Sequence, residues 1–157
     1  MLVVDAHEDI AYNALRYNRD YATSALDIRT TEINSKSVID NGLACLGHDE
    51  WLSGHVGIIF ATLFSPPYSH YSGDSEKMYY RNSEQAHQLA HNQLDYYLNL
   101  DQKDGFQIIR NRKDLDIVVT SWDEVSDRKP VIGLVLLMEG ADPIRSPGEV
   151  EYWHKNG

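Results

Sequence analysis

His7 and Asp9 stand two residues apart at the end of an apolar run, in the segment VVDAHEDI. In an extended strand, side chains at i and i+2 point to the same face, so this imidazole and carboxylate can converge on one ion. Imidazole nitrogen and carboxylate oxygen are both good zinc ligands. Glu139 closes a second, longer apolar run, VIGLVLLMEGAD. Its two oxygens can bridge a pair of cations about 3.5–4 Å apart, an arrangement that activates water and polarises a carbonyl. Each signal has an ordinary reading when taken alone. His-x-Asp also describes polar residues at a surface strand end, and Glu139 also describes a solvated strand end or a helix cap.

What joins the two segments is the order of elements around them. Residues 2–4 form a short β-branched run that leads into the His-x-Asp pair, and residues 8–17 can continue as a helix. Residues 18–36 are polar, lack periodicity and read as an irregular excursion. A helical turn is expected over 36–41, ended by Gly42, and 43–51 is ambiguous. Residues 56–64, VGIIFATLF, are apolar almost throughout, as in a strand covered on both faces. Ser65, Pro66 and Pro67 end that strand, and 68–80 reads as a long loop.

The clearest helix covers 84–100, where Ala86, Leu89, Ala90, Leu94, Tyr97 and Leu98 recur at helical spacing. A short strand over 106–109 follows Gly105. Asn111 or Asp114 then caps a helix running to Val119, and a further turn is expected over 121–125. Residues 131–138 form another apolar strand, and Pro147 opens a helix over 147–154. Strand and helix alternate throughout, which argues for an α/β fold built on a parallel sheet. All strand C-termini of such a sheet lie on one rim, and that rim carries the active site. His7, Asp9 and Glu139 are therefore expected on the same side. A closed eight-stranded barrel takes about 250 residues, so this chain has room for roughly half of one.

Composition narrows the function classes. A hydrophobic fraction of 42% fits a globular core. Fourteen basic against 24 acidic residues give a net charge of -10, which argues against binding a nucleic-acid backbone. No apolar run approaches the ~20 residues of a membrane span, and no leader pattern opens the sequence. With Cys45 as its single cysteine the chain can form no internal disulfide, so a cytoplasmic location is expected. Cys45 itself reads as a small buried apolar residue. His87 and His91 share a helix face but do not form H-E-x-x-H, and read as solvated positions. His48, His55, His70 and His154 have no partner spacing. Tyr68, His70 and Tyr71 lie in the rim loop, either against substrate or as plain surface.

Four segments together resemble the membrane dipeptidase (renal dipeptidase-like, peptidase M19) family. DAHEDIAYN is similar to that family's opening metal motif, and GHVGIIFATLFSPP to its second strand and following loop. GLVLLMEGADPI is similar to the segment with its bridging glutamate, and EVEYWHKNG to the helix leading to the next strand. The resemblance spans nearly the whole chain in the right order. It implies a (β/α)8 TIM barrel and a zinc-dependent hydrolase that cleaves dipeptides, with His7 and Asp9 on one zinc and Glu139 bridging two. The implied partner is a small dipeptide, with no nucleic acid and no membrane.

Ala6 and Ala141 stand where many relatives have glycine. The family's two further histidine ligands, and its substrate-binding histidine, arginine and late aspartate, have no counterpart here. Residues 1–157 are therefore expected to be one partial barrel domain, the N-terminal portion of such an enzyme. Two other readings remain open. One is a catalytically inactive remnant whose exposed strand edges drive aggregation or a homodimer. The other is an amidohydrolase-type enzyme acting on a non-peptide amide, although such enzymes often open with His-x-His.

Overall fold

The computed structural model describes residues 1–71, 78–123 and 129–157. Strand β1 (Val3–Glu8) is followed by helices α1 (Ile10–Tyr17), α2 (Ala25–Thr31), α3 (Lys36–Asn41) and α4 (His48–Ser53). Strand β2 (Val56–Leu63) leads through a 3-10 turn at Tyr68–His70 to α5 (Ser83–Asp101). Then come β3 (Phe106–Ile108), α6 (Arg112–Ser121), β4 (Ile132–Met138), a second 3-10 turn at Pro147–Glu149 and α7 (Val150–Asn156).

All pairings are parallel, and the sheet order is β1-β2-β4-β3. The expected α/β class with a parallel sheet is what the chain adopts. β2 and β4 pair in register from Ile58↔Gly133 to Leu63↔Met138. The short β3 lies outside β4 and pairs only with its first half, from Phe106↔Ile132 to Ile108↔Leu134. The second half of β4, from Val135 to Met138, is half-buried.

One face of the sheet carries the main core. Ile59, Ala61 and Leu63 of β2 alternate with Ile132 and Leu134 of β4 against Ile10, Ala11 and Ala14 of α1, Trp51 of α4, and Leu94, Tyr97 and Leu100 of α5. Fully burying a large apolar side chain contributes about 1.5–3 kcal/mol, so this cluster dominates the stability of the domain. α6 places Val118 over Gly133. A Cβ there would lie 2.6 Å from Ile109 Cδ1 and 2.9 Å from Val118 Cγ1, so only glycine permits this approach.

Several local expectations are corrected. Glu8 belongs to β1, and α1 begins at Ile10. The stretch read as irregular contains α2, capped by Ser24, whose hydroxyl accepts from Asp27 N–H. With only Ala25 and Ile28 buried, this seven-residue helix shows no periodicity, although Ser-x-x-Asp marks its start. The ambiguous stretch before β2 contains α4. Asn111, not Asp114, caps α6, accepting from the N–H groups of Lys113 and Asp114.

Cys45 is exposed, not buried. Ala44 takes the inward position because its N–H donates to Glu32 Oε1 and its carbonyl accepts from Arg29 Nε. The expected turn over 121–125 and the expected loop over 68–80 lie partly outside the described residues. The described start of the first, Ser121, is the last residue of α6. No described helix is long and apolar enough to cross a membrane.

Candidate metal centre

The parallel sheet puts the C-termini of β1, β2 and β4 on one rim. His7 is the next-to-last residue of β1, Asp9 joins β1 to α1, and Glu139 directly follows β4. Glu139 N–H donates to Leu63 O, extending the β2–β4 ladder by one bond. Gly140 then turns the chain away with φ +79°, a conformation that suits glycine.

The register of β1 sets which side chains face the rim. Asp5 pairs with Ile59 and Glu8 with Ala61, so β1 carries one extra residue there as a bulge. Ile59 and Ala61 both point into the core, which puts Asp5 and Glu8 on the core face and leaves His7 and Asp9 on the other. Asp5 Oδ1 accepts the His7 N–H at 3.0 Å inside the bulge.

The three residues expected to meet do so. His7 Nε2 is 3.1 Å from Glu139 Oε1 and 3.6 Å from Asp9 Oδ1. One ligand atom from each residue falls within 4.8 Å of the other two. Among the described residues this is the one group of three or more His, Cys, Asp or Glu side chains with that spacing. The side chains are 52%, 37% and 31% exposed, so the group is open to a ligand from solvent. Burial raises the Glu139 carboxyl above its ordinary range; the Asp9 charge adds to the rise and His7 opposes it. Glu139 Oε1 is buried without a hydrogen-bond partner. A carboxylate oxygen with no hydrogen bond, close to a second carboxylate and an imidazole, is part of a donor set that suits a divalent cation.

Sequence reasoning missed the residues that support this set. Thr62 Oγ1, fully buried at the end of β2, donates to Asp9 Oδ1 at 2.6 Å. Asn13 Nδ2 donates to Asp9 O at 2.9 Å. Trp51 Nε1 donates to Glu8 Oε1 at 3.1 Å from a fully buried ring. On α5, Gln93 and Tyr97 reach the end of β2. Gln93 Oε1 accepts from Phe64 N–H and its Nε2 donates to Phe64 O, while Tyr97 donates to Thr62 O. Gln93 is polar, yet it is fully buried on the apolar face at the spacing of Ala86, Ala90 and Leu94. That misplaced polar residue was the available signal.

A cleft of about 230 Å³ opens beside the cluster, lined by His7, Glu8, Asp9, Ile10, Asn13, Tyr21 and Leu46. A larger one of about 590 Å³ lies between α1, α2 and α5 and includes none of the three candidate ligands. Proximity to the convergent polar groups, rather than size, marks the smaller cleft as the relevant one.

The other histidines sit elsewhere. His87 and His91 are not solvated as expected but half-buried beneath α7, with ring centres 4.3 Å apart and 5.5 and 4.8 Å from that of Trp153. His87 Nδ1 bonds Pro143 O at 2.9 Å. Burial lowers the His91 pKa, and His87 adds to the effect. In the rim loop, Tyr68 stacks on Tyr71 and the Arg81 guanidinium lies 3.3 Å from the Tyr68 ring centre. His70 is exposed.

No protein-family model matches the chain. No curated protein matches it either. Among solved structures it is similar to the crystal structure of a dipeptidase AC, described as a metallopeptidase of family M19, with a TM-score of 0.67. The chain shares the fold of that M19 dipeptidase. The match covers all of this chain and 40% of the other, in its N-terminal part. Sequence identity is 17%, so the M19 likeness is one of architecture: a parallel α/β sheet matching part of a barrel-like fold.

Proposed function

We propose that the protein is a zinc-dependent M19-type dipeptidase in which His7 and Asp9 hold one zinc ion and Glu139 bridges two. The observation that carries this reading is the convergence of the three ligand atoms within 4.8 Å at the C-terminal ends of parallel strands. The M19 dipeptidase fold supports the choice of reaction. Bound there, zinc supplies Lewis acidity and lowers the pKa of water.

The residues of this chain hold and orient. His7 offers Nε2 from a bulge that Asp5 pins through the His7 N–H. Asp9 is fixed by the Thr62 hydroxyl at Oδ1, the oxygen that lies 3.6 Å from His7 Nε2. Glu139 presents two oxygens from a strand end anchored to Leu63 O. The adjacent cleft, with apolar Ile10 and Leu46 and polar Asn13 and Tyr21, suits a small dipeptide.

Incubation with simple dipeptides tests this reading, with free amino acids measured before and after chelation. Release that stops with chelator and returns with zinc is expected of the full enzyme. Zinc binding at His7 without any release, from this chain or from a longer one containing it, would transfer support to the inactive-remnant reading. The exposed Val3 and Val4 on the edge strand β1 favour that second reading.

A further inference from the structure

Asp9 occupies the N-cap of α1, yet its side chain makes no cap hydrogen bond. An aspartate at this position ordinarily accepts from the second or third N–H of the helix, because those groups have no partner within it. For α1 these are the N–H groups of Ala11 and Tyr12. The Ala11 N–H instead donates to the Tyr97 hydroxyl at 3.1 Å. The same hydroxyl donates to Thr62 O at 3.0 Å, and Thr62 Oγ1 donates to Asp9 Oδ1 at 2.6 Å. The bonds form a closed ring from Asp9 through the first turn of α1 to Tyr97, then to Thr62 and back to the Asp9 carboxylate. Tyr97, Thr62 and Ala11 are all fully buried, so no water competes for these bonds.

We propose that Tyr97 is a positioning residue that caps α1 in place of Asp9 and so frees the Asp9 carboxylate to bind metal. The hydroxyl meets two needs at once. It gives the helix its missing acceptor, and it fixes the strand end whose threonine aims Asp9 at the rim. Without it, the buried Ala11 N–H has a strong local alternative in the carboxylate two residues earlier. Asp9 then turns into the helix and away from His7 and Glu139. This role rests on the metal reading proposed above, although the cap exchange itself does not.

Two variants separate positioning from simple loss of packing. Tyr97→Phe removes only the hydroxyl, and Leu94→Val loosens the same face of α5 without touching the ring of bonds. Zinc binding by calorimetry is expected to weaken about 10- to 100-fold in Tyr97→Phe and to stay within about twofold in Leu94→Val. In the metal-free proteins, the 13C shift of the Asp9 carboxyl carbon is expected to move in Tyr97→Phe alone. An unchanged Asp9 signal, or equal loss of zinc affinity in the two variants, would overturn the proposal. Failure of the wild-type chain to bind zinc would count against the metal reading, and the carboxyl shift would still decide the cap exchange.

Discussion

Glu8→Gln is expected to stabilise the metal-free protein by about 3 kcal/mol at pH 8 and to leave it nearly unchanged at pH 4. Glu8 is 7% exposed, and burial raises its carboxyl from an ordinary 4.5 to about 7. The Trp51 indole N–H acts against that rise, and the Asp5 carboxylate adds to it. Its second oxygen, Oε2, is buried without a hydrogen-bond partner. The folded protein therefore binds this proton more tightly than the unfolded chain. The stability it confers is complete below about pH 4.5 and is lost as the pH rises through about 7. Glutamine keeps an acceptor for Trp51, offers Asp5 a donor, and carries no charge at any pH. Urea denaturation of both proteins with chelator present, at pH 4 and pH 8, measures the difference directly. A difference independent of pH would mean that the Glu8 carboxyl titrates alike in the folded and the unfolded chain. Added zinc is expected to narrow the gap at pH 8, because nearby cations favour the ionised carboxylate.

His7→Ala and Glu139→Ala are each expected to weaken zinc binding by at least about 100-fold, since even supporting residues around a metal typically contribute 10–100-fold. Glu139→Ala carries a further consequence. If its carboxylate bridges two ions, its loss lowers the bound stoichiometry, whereas His7→Ala removes a ligand from one ion only. His91→Ala is the informative contrast. His91 lies under α7 beside His87 and Trp153, and its removal is expected to leave zinc affinity unchanged. Calorimetric titration of the three variants ranks these effects in one experiment. A large loss in His91→Ala would shift attention to the histidine pair.

Much of this arrangement was legible in the residues themselves. Apolar runs ending in His-x-Asp and in Glu announce strand ends, and alternation with helices announces that those ends share a rim. The convergence of His7, Asp9 and Glu139 follows from these two rules. The bulge in β1 was not legible, because the extra residue is defined only by its partners Ile59 and Ala61. It nevertheless decides that Asp5 faces the core while His7 does not. Tyr97 fitted the apolar face of α5 by its spacing, and nothing local says that its hydroxyl would reach Thr62 and Ala11. Glu8 looked like the first residue of a helix, whereas its carboxylate is drawn into the core by Trp51, far along the chain. The position of β3 outside β4 is likewise a property of pairing that a three-residue strand cannot signal. Local patterns set the elements, while long-range polar contacts set how the site is held.

Anomalous diffraction at the zinc edge, on crystals grown with zinc, tests the central claim most directly. Anomalous density is predicted beside His7 Nε2, Asp9 and Glu139, with a second peak sharing the Glu139 carboxylate. Density at His87 and His91 alone, with none between His7 and Glu139, would contradict it.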